Sequence, residues 1–274
     1  MIRRFILKHL VDIWGGKTKY FDFFWDMYTY ALDGMNYGWG DYSIKNTSET
    51  NIFKLLYDRS GDEIIIFDGG AHKGEYTLNL LNWFENTSKK ISIHAFEPMS
   101  KSMEKYKEVI GNRPDVKIVY NRKGLVDKIG SALIFFDSDS SIMASLYQRQ
   151  LDYFDISFNQ KEKVDLTTVD EYCKSNFIDK IDLLKLVVEG SEFRALQGAQ
   201  NMIGSGKIDM IQFGFGGTDI DSRFYFRDFW NYLTGANYSL FRVMKDGLIK
   251  FNKYDEKYEC FQYVNFLAVY NRNS

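Results

Sequence analysis

Residues 64–76 read Ile64-Ile65-Ile66-Phe67-Asp68-Gly69-Gly70-Ala71-His72-Lys73-Gly74-Glu75-Tyr76, and residues 95–98 read Ala95-Phe96-Glu97-Pro98. The first segment begins as an apolar, β-branched run that ends in an acid, which is typical of a buried strand. Three glycines follow, and they allow the backbone to turn tightly and to approach a ligand closely. The second segment is the end of another apolar strand that finishes in a carboxylate. Together the two segments predict a strand, a glycine loop, a helix, a second strand and an acid.

This order of elements predicts a cleft for a nucleoside cofactor. In a parallel sheet, ligands bind at the carboxyl ends of the strands, and a carboxylate there typically holds the ribose hydroxyls. Gly69, Gly70 and Gly74 lack the G-x-G-x-x-G spacing of dinucleotide folds, and their loop carries no G-K-[ST] to hold a triphosphate. Asp68 would repel a pyrophosphate, but it suits a cationic ligand such as S-adenosylmethionine. The loop therefore favours a methyltransferase cleft over an ATP site, and a nicotinamide-dependent sugar enzyme is the disfavoured alternative.

Composition sets limits on the class of protein. With 274 residues and 45% hydrophobic content, the chain is long enough to bury a full core as one domain with an appendage. The net charge of −2 provides no general attraction to nucleic acid or to an anionic membrane. Cys173 and Cys260 form no disulfide framework, which favours a reducing compartment. No apolar run is long enough to span a bilayer, and the start of the chain does not resemble a signal peptide. We therefore expect a cytoplasmic protein without a nucleic-acid partner, and the oligomeric state stays open.

Strands and helices alternate along most of the chain. Residues 1–60 are predicted to form a mainly helical extension, with an irregular loop over 34–47, and residues 61–274 to form a Rossmann-like domain. The predicted strands are 64–67, 91–96, 116–120, 132–136, 181–188, 208–213, 238–243 and 263–270, and the predicted helices after the glycine loop are one near 74, then 100–110, 191–203 and 224–234. This alternation predicts a doubly wound α/β fold with a mostly parallel sheet. The turn Lys245-Asp246-Gly247 predicts an antiparallel edge at the C-terminal end.

Five blocks of sequence stand out along the chain. They are 67–77, 95–98, 164–170 (Val164-Asp165-Leu166-Thr167-Thr168-Val169-Asp170), 181–192 (Ile181-Asp182-Leu183-Leu184-Lys185-Leu186-Val187-Val188-Glu189-Gly190-Ser191-Glu192) and 196–199 (Leu196-Gln197-Gly198-Ala199). In this order they resemble the FkbM family of S-adenosylmethionine-dependent methyltransferases. The resemblance spans roughly residues 40 to 215 and implies O-methylation, commonly of a sugar hydroxyl in a glycan or of a natural-product scaffold. It also implies that Asp68, Gly69, Gly70 and Gly74 form the cofactor loop and that Glu97 holds the ribose. We count Ala71, Tyr76 and Pro98 with these cofactor-binding residues.

The sequence departs from the family pattern at three positions. His72 stands where the loop usually has Asn, Val187 stands where a strand-end Asp is expected, and Gly214 stands where many members carry Glu. We expect Gly214 to leave an empty space on its strand. Since both missing acids would lie beside the methyl donor, activity is expected to be weak. A protein that binds the cofactor but has lost turnover is the alternative.

His72, Lys185 and Glu189 are the remaining candidates for the group that accepts the acceptor's proton. His72 adjoins the cofactor loop, and imidazole titrates near neutral pH. Lys185 lies in an apolar strand, where it either contacts the cofactor or acceptor or forms a salt bridge to a nearby carboxylate such as Glu189 or Glu192. These two acids also fit the start of a helix, where negative charge is favoured. The sequence has no Cys/His cluster, so we predict no tightly bound metal.

Overall fold

The computed structural model describes residues 2–38, 48–138 and 141–272. None of the helices in these ranges has the length and hydrophobicity to span a bilayer. The helices are α1 Ile2–Trp14, α2 Phe21–Gly34, α3 Thr50–Arg59, α4 Glu75–Phe84, α5 Ser100–Ile110, α6 Val169–Ser175, α7 Glu192–Gln197, α8 Gln200–Gly204, α9 Gly217–Ser222 and α10 Phe226–Gly235. The strands are β1 Glu63–Gly69, β2 Lys90–Phe96, β3 Lys117–Asn121, β4 Gly124–Leu125, β5 Gly130–Phe136, β6 Gln160–Thr167, β7 Ile181–Leu186, β8 Ile208–Phe215, β9 Tyr238–Met244, β10 Gly247–Lys250 and β11 Val264–Tyr270.

The central sheet has eight strands in the order β10-β9-β11-β8-β7-β1-β2-β3. Strands β8, β7, β1, β2 and β3 are parallel to their neighbours in this series, whereas β11 is antiparallel to both β8 and β9. The predicted turn at 245–247 joins β9 and β10, and Gly247 pairs with Met244. A doubly wound, mostly parallel sheet with an antiparallel C-terminal edge is therefore confirmed.

Helices cover both faces of this sheet. On one face, apolar side chains of α3, α4 and α5 pack with Ile64 and Ile66 of β1, and on the other face α6, α7, α8 and α10 pack with Phe67. Successive residues of β1 thus point to opposite helical layers, as the period of two in a strand requires. In chain order, β1, β2 and β3 are added toward one edge of the sheet, and β7 and β8 are then added on the other side of β1. The strand order therefore reverses between β1 and β7. Ligands of open α/β sheets bind outside the carboxyl ends of the strands at such a reversal.

The N-terminal part of the chain is helical and contains α1 and α2, in agreement with the helices predicted for residues 1–60. Most of the predicted loop over 34–47 lies outside the described residues. The third helix, α3, is part of the main core, because Ile52, Phe53 and Leu56 are fully buried against one face of the central sheet. The domain boundary at residue 60 stays a prediction.

A second, three-stranded sheet, β4-β6-β5, was only partly predicted. The expected strand at 132–136 is the end of β5, but its antiparallel partner β6 was missed. Strand β6 reads Gln-Lys-Glu-Lys-Val-Asp-Leu-Thr and buries Val164 and Leu166 while most of its first half stays in solvent. Such a polar strand has too few apolar residues to show a clear alternation.

Two predicted boundaries were wrong, and backbone packing explains both. The strand predicted over 181–188 ends at Leu186, and the backbone N–H of Val187 donates to Gly69 O at 3.1 Å as the chain leaves the sheet. The helix predicted over 191–203 is two helices, separated at Gly198. A Cβ atom at Gly198 would lie 2.0 Å from Val126 O, so the chain there is pressed against a neighbouring backbone.

Candidate active site

The glycine loop links β1 to α4 and packs against the segment that follows β7. Gly70 has φ 74°, and a Cβ atom there would lie 1.8 Å from Val187 O. The N–H groups of Gly70 and Ala71 donate to Phe96 O at 2.9 and 3.0 Å, which fixes the loop over the end of β2. The sequence predicted a close approach of this backbone to a ligand. The approach seen at Gly70 is to the chain's own backbone after β7, so glycine is required there for folding.

Asp68 and Lys185 form a buried ion pair beneath this loop. Lys185 Nζ lies 2.9 Å from Asp68 Oδ1 and donates to Gly70 O at 2.8 Å. The hydroxyl of Thr77 donates to Asp68 Oδ2 at 2.8 Å. The partner of Lys185 is therefore Asp68, and neither Glu189 nor Glu192, which the sequence had suggested. The charge of Asp68 is compensated within the protein by this pair.

Glu97 lies at the end of β2 and is 6% exposed. Its Oε2 accepts the backbone N–H of His72, and its Oε1 accepts the N–H of Met99, both at 2.9 Å. Burial raises the pKa of this carboxyl from 4.5 to about 7, although the two N–H donors and Lys185 act in the opposite direction. Each carboxylate oxygen has two lone pairs, so each is able to accept one further hydrogen bond. Glu97 is therefore suited to binding a pair of hydroxyl groups.

Tyr76, in the first turn of α4, connects the helix after the glycine loop to β8. Its ring lies 5.3 Å from Lys185 Nζ, and its hydroxyl donates to Gln212 Oε1 at 2.9 Å. Gln212 is fully buried, and its Nε2 donates to Glu49 Oε1 at 3.4 Å. Burial raises the pKa of Glu49, against the charge of Lys185, which lowers it. Gln212 and Glu49 were not among the predicted residues, and they extend the polar row from β1 across to β8.

A second group of charged side chains gathers where β7 and β8 end, and we call it the acid cluster. It consists of Arg149 with the four acids Glu189, Glu192, Asp219 and Asp221. Arg149 is 7% exposed; its Nε donates to Asp221 Oδ2 at 2.8 Å, and its Nη1 lies 3.8 Å from Glu189 Oε2.

Glu189 and Glu192 are held differently within the acid cluster. Glu192 accepts the backbone N–H of Val188 at 2.7 Å and that of Gly190 at 2.8 Å, so both of its oxygens hold the turn before α7. Glu189 has φ 51°, and its backbone carbonyl accepts a hydrogen bond from the hydroxyl of Ser145 at 2.6 Å, while its side chain lies near Arg149. Burial and the nearby Glu192 raise the pKa of Glu189 to about 8, although Arg149 and Lys185 lower it.

Asp219 lies in the first turn of α9, the helix that follows β8, and is 1% exposed. Its Oδ2 accepts the backbone N–H of Gly216 at 2.8 Å. Burial, together with the charges of Glu192 and Glu189, raises the pKa of Asp219 well above 3.8, and Arg149 opposes this. The sequence analysis missed both Arg149 and Asp219. An acid shortly after a strand end is the signal that could have identified Asp219, because the same rule identified Glu97.

The three departures from the family pattern have distinct surroundings. His72 has φ 46° and lies against Glu97 through its backbone. Val187 lies just beyond β7, with its carbonyl against Gly70. The expectation of an empty space at Gly214 was wrong, because a Cβ atom there would lie 2.9 Å from the ring of Tyr263.

Across 2–38, 48–138 and 141–272, no three His, Cys, Asp or Glu side chains are grouped so that they could hold a metal ion.

The sheet order, the glycine loop at the strand reversal and the acid after β2 define an α/β protein of the Rossmann-like methyltransferase class. The methyltransferase FkbM domain model matches residues 68–240, more than half of the chain. The chain therefore belongs to the FkbM methyltransferase family.

Solved structures to which this chain is similar include a methyltransferase FkbM from Methylobacillus flagellatus KT, at 18% identity and a TM-score of 0.46. The alignment covers 80% of this chain but 48% of that chain, so the present sequence corresponds to about half of its length. TrmK of M. capricolum, solved with S-adenosyl-homocysteine, is 12% identical, with coverage of 80% and 67% and a TM-score of 0.39. An rRNA methylase from Streptococcus thermophilus is 9% identical, with coverage of 81% and 95% and a TM-score of 0.40. No curated protein matches the chain.

Proposed function

We propose that this protein transfers the methyl group of S-adenosylmethionine to a hydroxyl group, on a sugar or glycan acceptor. The site has two halves. The donor half lies at the ends of β1 and β2, where the loop 69–74 and Glu97 would hold the nucleoside. The acceptor half lies at the ends of β7 and β8, where the acid cluster stands.

The residues of the donor half fit the cofactor. Glu97 has one spare lone pair on each oxygen for the two ribose hydroxyls. The Asp68–Lys185 pair and the Gly70 contact with Val187 brace the loop from below. When bound, the cofactor supplies an electrophilic methyl group on a sulfonium. The task of the protein is then to align an acceptor oxygen with that methyl group.

For the acceptor half, Glu189 is the proposed general base. A sugar hydroxyl loses its proton as the new bond forms, so a base beside it accelerates transfer. Glu189 follows β7 by three residues, and its pKa of about 8 lies within the range in which a general base operates near neutral pH. Lys185 is a weaker candidate because its ammonium is held by Asp68 and Gly70 O. His72 stays a candidate through its position against Glu97.

The test is a transfer assay on the full chain with S-adenosylmethionine labelled in its methyl group and a panel of mono- and oligosaccharides. We expect label in an acceptor hydroxyl, and we expect Glu189→Gln to lower turnover while cofactor affinity is kept. Glu85→Gln, which alters an exposed acid at the other end of α4, is the matched control. Retention of full turnover in Glu189→Gln would transfer the role of base to another group.

Cofactor binding without transfer to any acceptor would favour the alternative, a protein that has lost turnover. The sequence suggested restoring acids at both Val187 and Gly214. Because Tyr263 lies within 2.9 Å of a side chain at Gly214, Val187→Asp alone is the sounder test. Transfer that appears only in Val187→Asp would show that the missing acid is the cause.

A further inference from the structure

The acid cluster contains more negative charge than its own groups compensate. Its only cation is Arg149, which is bound to Asp221 at 2.8 Å and lies 3.8 Å from Glu189. Two backbone N–H groups compensate Glu192. Buried carboxylates are costly unless they are paired or hydrogen-bonded. Among the described residues, the acid cluster therefore has one cation for four acids, so at least one of its carboxyls has no positive partner when it is ionised.

Asp219 shows where that partner would bind. Within the described part of the chain, its Oδ1 is buried and has no hydrogen-bond partner, while Oδ2 is used by Gly216. The hydroxyl oxygen of Ser191, which is 2% exposed, also lacks a partner among these residues. Asp219 lies on α9 two residues before Asp221, whose carboxylate binds Arg149, and the charges of Glu192, Glu189 and Arg149 act on it. Native proteins leave few such groups unsatisfied, and those that remain call for a ligand or water.

The position of the acid cluster relative to the donor half indicates which cation this is. If Glu97 after β2 holds the ribose and the glycine loop after β1 holds the adjoining part of the cofactor, the cofactor extends from β2 across β1 toward β7, the next strand in the sheet. The segment after β7 touches the glycine loop at Gly70, and Glu189 follows two residues after the touching Val187. Lys185 acts electrostatically on Glu97 and on Glu189. The acid cluster therefore lies on the side of the cleft toward which the sulfonium end of such a donor would extend.

We propose that the acid cluster recognises the positive charge of the methyl donor, and that Asp219 and Glu189 make the site discriminate S-adenosylmethionine from its neutral product, S-adenosylhomocysteine. This inference rests on the proposed function, because it requires that the donor binds in this cleft. Its consequence is functional: a site that prefers the sulfonium over the thioether releases the product more readily after transfer. The two ligands differ at this position by one methyl group and one positive charge.

The discrimination depends on pH, because only ionised acids attract the sulfonium. Glu189 faces Glu192, which raises its pKa, and Arg149 and Lys185, which lower it; the resulting value is about 8. Asp219 faces Glu192 and Glu189 on the raising side and Arg149 on the lowering side. At pH 6.5 Glu189 is mostly protonated and at pH 8.5 it is mostly ionised. The preference for the cation should therefore increase with pH.

The experiment measures the dissociation constants of both ligands by calorimetry at pH 6.5 and pH 8.5. It uses the full chain, Asp219→Asn, and the control Asp58→Asn, which removes the same charge from an exposed pair with Lys54 on α3. The amino group shared by the two ligands titrates in the same way in each protein, so the variants isolate the contribution of the acid cluster. The relevant quantity is the ratio of the two affinities.

We expect Asp219→Asn to lower the preference for S-adenosylmethionine at pH 8.5 by about tenfold, as for a single charge pair in partly solvated protein. Affinity for the product should change less than threefold, and Asp58→Asn should leave the ratio unchanged. The unaltered chain should also show a rising ratio between the two pH values, which does not depend on any variant being folded. An unchanged ratio in Asp219→Asn, or a ratio independent of pH in the unaltered chain, would overturn the inference alone. Failure of the unaltered chain to bind either ligand would refute the proposed function itself, and this inference with it.

Discussion

Replacing Glu97 by Gln removes one charge from the donor half and leaves the shape of the side chain almost unchanged. In the folded protein, the carboxylate accepts the N–H groups of His72 and Met99. Glutamine keeps one oxygen for one of these donors and presents its amide N–H₂ to the other. The substitution therefore tests the proposed ribose contact with less disturbance than Glu97→Ala, which would leave both donors without an acceptor.

The effect on stability follows from the pKa of Glu97. Because burial raises this pKa from 4.5 to about 7, ionised Glu97 destabilises the fold by roughly 3 kcal/mol above pH 7. A raised carboxyl pKa means that the native state binds the proton more tightly, so this destabilisation develops as pH rises from 4.5 to 7 and is absent below that window. Glu97→Gln loses one backbone hydrogen bond, which costs about 1–3 kcal/mol, but it also removes the penalty of ionisation. We expect the variant to stay folded at pH 8 and to be relatively less stable at pH 5.

The effect on binding should be large by comparison. Hydrogen bonds to a charged group contribute about 1.5–3 kcal/mol, so the affinity for S-adenosylhomocysteine should fall by roughly 10- to 150-fold at pH 8. The affinity of the unaltered chain should rise as pH passes through about 7, and that of the variant should not. Calorimetry on both proteins measures this, with Glu75→Gln on the exposed first turn of α4 as the matched control. Equal affinities for the unaltered chain and Glu97→Gln would refute the ribose assignment.

Three further predictions concern other parts of the structure. Gly70→Ala should destabilise the protein by more than about 3 kcal/mol in denaturant unfolding, because Gly70 has φ 74° and the added Cβ would lie 1.8 Å from Val187 O. The control Gly61→Ala should change the stability little, because no atom lies within 4 Å of a Cβ there. Although burial raises the pKa of Asp209, two arginines lower it overall, so its contribution is present above pH 3.8 and lost as pH falls further; Asp209→Asn should cost about 3–5 kcal/mol at pH 7 and the deficit should shrink in acid. Turnover should rise as pH passes through about 8, the pKa of Glu189. Glu189→Gln should abolish that rise and lower the rate by about 10²- to 10⁴-fold. If the rise persists in the variant, the titrating group is not Glu189.

The sequence was sufficient for the architecture of the central sheet, because its strands have strong local signals. Strands β1 and β2 are apolar runs that end at a glycine or an acid, and the Asp246-Gly247 turn marks the hairpin at the edge. What failed was set by contacts between distant segments. The interruption at Gly198 depends on the backbone of Val126, which nothing in the local sequence reveals. Strand β6 was missed because Val164 and Leu166 are its only apolar residues, too few to show a clear alternation.

The same division holds for the candidate site. Gly70 and Glu97 were predicted because a strand end followed by a glycine or an acid is a local pattern. Arg149 could not be predicted, since it lies in an irregular segment and reaches Glu189 and Asp221 only through tertiary packing. A salt bridge of Lys185 to a nearby carboxylate was predicted, but the two examples given were not its partner, for a related reason. The sequence neighbours Glu189 and Glu192 lie beyond the strand end, whereas Asp68 is the directly paired residue of the adjacent strand.

That pairing of Lys185 with Asp68 also explains how the two halves of the site are joined. Register places the two residues side by side on β7 and β1, at the reversal of strand order. One ammonium there neutralises Asp68, holds the carbonyl of Gly70, and lowers the pKa of both Glu97 and Glu189. Its removal would leave Asp68 buried without a counter-charge and would raise the pKa of the carboxyls on either side. We therefore propose that Lys185 is a positioning residue that ties cofactor binding to the state of the acid cluster, since its ammonium is already held by Asp68 and the carbonyl of Gly70.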